Sequence, residues 1–370
     1  MGKWHSSATP KCYSFLVKGM HIRIYDIYLS KKTISFVLAN LNKMNEIPVV
    51  QYIKYTKVED FLQDISYGGN LYKQFMYGDF AYRGHASNKY KLIPTALRPE
   101  SRKRLNQFAL CGYGDNQEDL EYFQILKENH ILRDFYKMCD RHGLVMENID
   151  RIRSTFLDKI DLPTMMTSEY WLPKELWALA SLAQHYGLPT RLLDWTHDIF
   201  IALFFAIEDY LEGRKIPTNT EHIVLWALNL KLLTMPNVMD LPLKLVQPIY
   251  HGNENLKAQQ GLFTLWQVKK KIEFKDGGKV VDMETKVNRN PLDQLLLNLR
   301  IKQGKVEVPY LYGFMLPPNS AKELYSYIKN IGYDASRIYP GYNGVVKSLL
   351  HDYFLNSEAI SKSSAIMIAR

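Results

Sequence analysis

The sequence predicts an α+β domain, with helices gathered between groups of strands. Three observations lead there. Alternating apolar and polar residues open the chain, the middle from Glu118 to Tyr186 is patterned for helices, and interior-type strands return from His222 onward. No regular strand–helix–strand repeat links these blocks, which disfavours a doubly wound parallel sheet.

Taken in order, Tyr13 to Tyr28 alternates in part, as a strand or hairpin does. Thr56-Lys57-Val58-Glu59 has capping-box spacing and opens a short helix through Phe61, Leu62 and Ile65, which Tyr67-Gly68-Gly69 ends. Phe80 to Gly84 reads as a short strand closing on a glycine turn. Glu118 to Met138 carries Leu120, Phe123, Leu126 and Ile131 at roughly helical spacing. Pro173 to Tyr186 forms a second helix, stopped by Gly187 and Pro189, because glycine takes the left-handed terminal position and proline cannot continue. Thr190 to Trp195 is then a short strand, and Thr196 is a candidate N-cap for the next helix. That helix, IFIALFFAI, is apolar all round and belongs in the interior. His222 to Leu230 reads as an interior strand, and Gly261 to Val268 with Val280 to Val287 as a hairpin pair. Residues 1–55 form an N-terminal extension in this scheme, 56–350 the main domain, and 351–370 a tail.

Composition sets bounds on function. The chain has 370 residues, 46% of them apolar and 23% charged, with 25 Tyr, 16 Phe and 6 Trp, which is the composition of a folded globular protein. Cys12, Cys111 and Cys139 are scattered and odd in number, which argues against a disulfide framework and a cysteine zinc site. The ten histidines show no ligand spacing, so no metal is expected. The longest apolar run, Ile199 to Ile207, is far shorter than the roughly 20 residues of a membrane span, and no secretory leader is visible, so a cytoplasmic protein is expected. Met1-Gly2 with Ser6 fits a myristoylation pattern too short to carry weight. The net charge is +9. Its local clusters, Arg98 to Arg104 and Lys269 to Lys271, are either solvated surface or a footprint for nucleic acid or another polyanion. The second cluster precedes Lys275-Asp276-Gly277-Gly278-Lys279, which reads as a hairpin tip.

Four separated blocks then resemble the FRG-domain family, named for a Phe/Tyr-Arg-Gly motif. They are Tyr82-Arg83-Gly84 with Leu92 to Arg98; Leu182 to Thr196 running into Ala202 to Ala206; Ala258 to Thr264; and Gly332-Tyr333-Asp334 with Ile338 to Gly341. The second block, which contains QHYGLPTRLLDWT, is the most distinctive.

A looser resemblance is to mono-ADP-ribosyltransferases. These often carry an arginine on an early strand, a central strand ending in Ser or Thr before a helix, and a later strand with a catalytic Glu. Arg83, Thr196 and the Gln259–Phe263 segment occur in that order. The resemblance implies a split-sheet ADP-ribosyltransferase-like core with a central helical insert. It further implies a cleft for NAD or a related nucleotide, with ADP-ribosyl transfer or NAD glycohydrolysis as the chemistry. Tyr82, Arg83, Gly84, Gln184, Arg191 and Thr196 would bind the cofactor. Gln259 or Gln260 would lie near the ribose, with His185 and Asp194 positioning or polarising. A guanidinium can hold a phosphate through paired hydrogen bonds, the strand-to-helix junction offers N–H groups to an anion, and Tyr82, Tyr186 or Trp195 could stack on a nicotinamide. The segment departs from the transferase pattern in reading Gln259-Gln260 where those enzymes place Glu. Glutamine supplies no negative charge; Glu254 and Asp194 are the carboxylates that could replace it.

Structural roles compete with each assignment. Arg191 and Asp194 could form a buried ion pair with each other, His185 could bond helix-end carbonyls, and Thr196 could act only as a cap. Trp195 and Phe263 could be core. Gln184 and Gln259 need partners in either case.

Overall fold

The computed structural model describes residues 12–17, 20–25, 49–76, 78–107, 119–146, 152–153, 169–218, 220–234, 241–269, 272–275, 278–281, 285–303 and 309–353. A hairpin of β1 (Cys12–Val17) and β2 (Met20–Tyr25) comes first, with Cys12 opposite Tyr25. β3 (Val50–Lys54) follows and leads into α1 (Val58–Ile65), whose Val58, Phe61, Leu62 and Ile65 are buried. α1 has Lys57 at its N-cap position with no side-chain cap, so the capping box expected at Thr56 does not form. After α2 (Tyr72–Met76) comes β4 (Phe80–His85), the strand of the Tyr-Arg-Gly motif.

Helices α3 (Arg102–Asn106), α4 (Glu121–Arg141) and α5 (Trp177–His185) precede β6, with the two-residue β5 (Tyr170–Trp171) before α5. They are the helical insert between two strands of one sheet. α5 stops as its sequence dictates. Gly187 takes φ +84, which lets Gly187 N donate to the Gln184 carbonyl at 2.8 Å and Leu188 N to the Ala183 carbonyl at 2.9 Å. β6 (Leu192–Thr196) then enters the sheet and α6 (Ile199–Leu211) follows. Asp198, not Thr196, caps α6: its Oδ1 accepts from Phe200 N at 2.8 Å and Ile201 N at 3.4 Å. Two of the N–H groups at this junction, those of Phe200 and Ile201, are therefore taken by the cap.

β7 (Ile223–Asn229), α7 (Lys231–Thr234), β8 (Leu243–Val246), α8 (Glu254–Ala258) and β9 (Gly261–Trp266) come next. β10 (Val268–Lys269) pairs with β5, and β11 (Ile272–Lys275) with β12 (Gly278–Val281). Lys275 stands opposite Gly278 in this pair, the two residues that flank the expected tip. The expected pairing of Gly261–Val268 with Val280–Val287 does not occur, because β9 is recruited between β6 and β8. α9 (Leu292–Gln303), β13 (Leu311–Leu316), α10 (Ala321–Asn330) and α11 (Ala335–Ile338) follow, and residues 342–353 are helical.

The main sheet has seven strands in the order β3-β13-β7-β4-β6-β9-β8 and is antiparallel except where β3 pairs with β13. Mixed α and β structure around a mostly antiparallel sheet is what the chain pattern predicts. β3 falls inside the segment assigned to the N-terminal extension, yet it is an edge strand of this sheet.

One core holds α6, α1, α10 and α11 against β4, β7 and β13. A second packs α4 and α5 on β6 and β9, and a third covers the other sheet face with Leu292 and Leu296 of α9. Ile201, Ala202, Leu203, Phe204, Ala206 and Ile207 of α6 are all fully buried. Full burial of a Leu, Ile or Phe contributes about 1.5–3 kcal/mol each, so α6 anchors the sheet on which the site is built. Among the described residues no helix is long and apolar enough to cross a membrane.

Candidate functional site

The site begins at a seam in the sheet. β4 pairs with β7 along its whole length, Phe80 opposite Asn229 to His85 opposite Val224, but meets β6 in one pair, Tyr82 opposite Thr196. Continued pairing would set Arg83 opposite Trp195 and Gly84 opposite Asp194. The strands part there instead, and side chains take over the bonds that a ladder would make.

Arg83 bridges the gap. Its Nη1 lies 2.5 Å from Asp194 Oδ2 and donates to the Asp194 backbone carbonyl at 2.7 Å. Its Nε donates to His85 Nε2 at 3.0 Å. That bond needs a lone pair on the imidazole, so His85 is neutral; burial and the Arg83 charge push its pKa down to about 3.

The second oxygen of Asp194 is held from α5. Gln184 Nε2 donates to Asp194 Oδ1 at 3.3 Å, and Gln184 Oε1 accepts from the Thr190 hydroxyl. Thr190 Oγ1 in turn accepts from Leu192 N at 3.2 Å, which fixes the direction of the chain. Both carboxylate oxygens are thus clamped, yet 58% of the Asp194 side chain is accessible from the cleft. Burial acts to raise the Asp194 pKa, but Arg83, with Arg98 behind it, outweighs that and holds the carboxyl below its ordinary range.

Gly84 shapes the seam from below. A Cβ there would sit 2.5 Å from Ala206 N and 2.8 Å from the Ala206 methyl, and closer still to the Ala202 carbonyl. The glycine of the motif is therefore required for β4 to lie on α6. Tyr82 is buried in the same packing, and its hydroxyl donates to the Phe75 carbonyl at 2.7 Å.

A cavity of about 600 Å³ opens at the seam, lined by Tyr82, Arg83, Gly84, Gln184, His185, Asp194, Thr196 and Gln259 among others. Residues separated by well over a hundred positions thus converge on one cleft. His185 ends α5 half-buried, and burial lowers its pKa. Thr196 donates its hydroxyl to the Gln259 carbonyl at 2.7 Å and accepts from Asp198 N at 3.1 Å, so it ties β6 to the turn before β9. Gln259 Nε2 donates to the Ile338 carbonyl at 3.5 Å.

Two residues assigned to the site from the sequence are not among the lining. Gln260 takes φ +46 in the tight turn before β9, and its carbonyl accepts from His197 N at 3.1 Å. Arg191 is buried beside α4, with Nη2 2.5 Å from Glu121 and Nε 2.6 Å from Glu128. It neither pairs with Asp194 nor reaches the cleft. Trp195 and Phe263 are both buried, with Trp195 Nε1 donating to Thr264 Oγ1 at 2.9 Å, and both also line the cleft. Of the three aromatics considered for stacking, Tyr186 alone is exposed, at 68%.

Thr95, Phe205, Asn255, Leu256 and Tyr339 are among the other lining residues, and none of them was singled out from the sequence. Thr95, Phe205 and Tyr339 fall within the blocks in which the sequence resembles the FRG family, which was the available signal. Tyr339 donates its hydroxyl to Glu208 at 2.7 Å, and Lys347 Nζ lies 4.3 Å over its ring.

The basic clusters are partly neutralised within the fold. Arg102 pairs with Asp119 at 2.5 Å and Lys269 with Glu169 at 2.8 Å, while Arg98 Nε donates to the Ile93 carbonyl. Lys270 and Lys271 lie outside the described residues. No group of three or more His, Cys, Asp or Glu side chains among the described residues could hold a metal ion.

Residues 78–215 match the FRG domain. No curated protein and no solved structure matches the chain. The FRG match begins just before β4 and ends just after α6, so it contains Arg83, Gln184, His185, Asp194 and Thr196 but not Gln259 or Tyr339. Both sides of the seam and the helical insert joining them lie within the FRG match.

Proposed function

We propose that the cleft at the seam binds a nucleotide of the NAD+ class and cleaves its N-glycosidic bond. The products would be ADP-ribose on an acceptor or, with water, free ADP-ribose. The observation that carries this is Asp194, an accessible carboxylate kept ionised and clamped on both oxygens at a cleft of about 600 Å³. Ligand pockets typically span about 300–1,000 Å³.

The ADP-ribosyltransferase-like reading needs a negative charge near the ribose, and Gln259 cannot supply one. Asp194 can. As nicotinamide leaves with the glycosidic electron pair, positive charge develops on the ribose, and a fixed carboxylate stabilises it without moving a proton. Its lowered pKa suits that task and makes Asp194 a poor base. Water or an acceptor hydroxyl then bonds to the anomeric carbon and releases its proton to solvent. Tyr186 offers a ring to the nicotinamide, and the Gln259 amide a hydrogen bond to the ribose. Arg83 braces Asp194, and its guanidinium, with Arg98 adding to the field, is the positive charge offered to a phosphate.

Calorimetric titration with NAD+, together with chromatography for released nicotinamide, tests the reading. Wild type binds in the sub-millimolar range and releases nicotinamide. Asp194→Asn keeps the affinity within a few-fold and loses turnover by about 100-fold, the scale of one removed electrostatic stabiliser. Absence of binding by wild type at millimolar NAD+ overturns the proposal.

A further inference from the structure

The last described helix, residues 342–353, is amphipathic in reverse. Its inner face is polar. Lys347 Nζ pairs with Glu208 at 2.6 Å and Glu212 at 2.7 Å, Ser348 donates to Asp334 at 2.8 Å, and Asp352 pairs with Lys329. His351 is buried on this face, against Phe204 and Tyr325. Its outer face carries Tyr342, Val345, Val346, Leu349, Leu350 and Tyr353, all substantially exposed, from 49% at Val345 to 91% at Tyr342. An isolated exposed apolar side chain is ordinary, whereas six on one stripe with no charge among them mark a contact surface.

The spacing of the stripe allows it to pair with a second copy of itself. The six positions are symmetric about the midpoint between Lys347 and Ser348: Tyr342 mirrors Tyr353, Val345 mirrors Leu350, and Val346 mirrors Leu349. A helix with that symmetry matches itself when reversed. Laid antiparallel on a second copy, each aromatic end meets an aromatic end and each valine meets a leucine, as an isologous two-fold contact requires. The charged side chains Lys347 and Asp352 are engaged with their own domain, so two such faces meet without repulsion. With about 150–250 Å² on each aromatic side chain, the stripe offers on the order of 700 Å² per copy, close to the ~800 Å² per partner of a standard interface.

We infer that this face joins two copies of the chain about a two-fold axis, with Val346 packed on Leu349 of the second copy at its centre. The inference stands independently of the chemistry of the cleft. Sedimentation velocity on the full chain tests it. Wild type at tens of micromolar sediments near twice the 43.2 kDa chain mass, and Leu349→Glu weakens association by at least 100-fold with an unchanged circular-dichroism spectrum. Val345→Glu/Leu350→Glu and Val345→Lys/Leu350→Lys are each monomeric and form a mixed dimer when combined, because the axis sets 345 against 350. If Leu349→Glu misfolds, this charge-complement pair decides. A wild type that stays monomeric at 100 µM overturns the inference, whatever other segment or partner covers the face. So does a dimer that Leu349→Glu leaves intact, or charge-complement variants that fail to combine.

Discussion

Replacing Gly84 by alanine puts a methyl group where α6 already lies. The obstructing atoms are the Ala206 amide nitrogen at 2.5 Å, the Ala206 methyl at 2.8 Å and the still nearer Ala202 carbonyl. Two of these are helix backbone, so no rotamer change relieves the clash, and α6 must lift off β4. Overpacking a core costs about 1–3 kcal/mol, occasionally more; a backbone obstruction belongs at or above the top of that range, about 3 kcal/mol. At roughly 2–4 °C per kcal/mol for a domain of a couple of hundred residues, the melting temperature drops by about 6–12 °C. Gly187→Ala is the control. Gly187 has φ +84 with nothing within 4 Å of its Cβ position, so alanine there meets only left-handed strain, about 1–2 kcal/mol. Thermal denaturation of both variants followed by circular dichroism separates crowding from conformation. If Gly84→Ala melts within 2 °C of wild type, or above Gly187→Ala, the assignment of Gly84 to strand–helix contact is refuted.

Three further outcomes follow from the same geometry. His85, whose pKa falls from 6.5 to about 3, binds a proton in the unfolded chain but not the folded one between those values, so its contribution is complete above pH 6.5 and is lost as the pH falls toward 3. His85→Gln, which keeps an acceptor for Arg83, flattens the acid slope of stability by up to about 1.4 kcal/mol per pH unit; identical slopes in urea titrations from pH 7.5 to 4.5 would count against the neutral buried imidazole. Arg191→Met strands Glu121 and Glu128 beside each other in the core and lowers stability by about 3–5 kcal/mol, with Arg191→Lys losing less; equal loss in both variants contradicts a charge-based role. Asp198→Ala removes the α6 cap and the Tyr333 hydroxyl bond at 2.6 Å, at a cost of about 1–2 kcal/mol in chemical denaturation, while Asp198→Asn retains most of the cap.

What could be read from the sequence was mostly local. The stop at Gly187, the buried run in α6 and the interior strand at Ile223–Asn229 each follow from a few neighbouring residues. The family blocks also placed Arg83, Gln184, Asp194, Thr196 and Gln259 in one order, and the fold brings them to one cleft. The failures involve choices that local pattern leaves equal. Thr196 and Asp198 are both good caps two residues apart, and the end of β6 decides between them. Arg191 and Asp194 differ in fate because β6 starts after one and includes the other; a one-residue change in a strand reverses every face. The partners of Arg191 lie 63 and 70 positions away on α4, which no local periodicity encodes. β9 looked like half of a hairpin because the vacancy it fills, between β6 and β8, exists only in the assembled sheet.

The single pairing between β4 and β6 bears on mechanics as well as chemistry. A ladder of paired strands resists shear and spreading in proportion to its rungs, and this one has a lone rung at Tyr82 and Thr196. Hydrogen exchange is the measurement that reads this line, because local opening follows where backbone bonds are few. Any change in the angle between the β3-β13-β7-β4 half and the β6-β9-β8 half alters the reach from Arg83 to Asp194 first. The contacts from Arg83 to Asp194 are thus a gauge of how far the two halves stand apart at the seam.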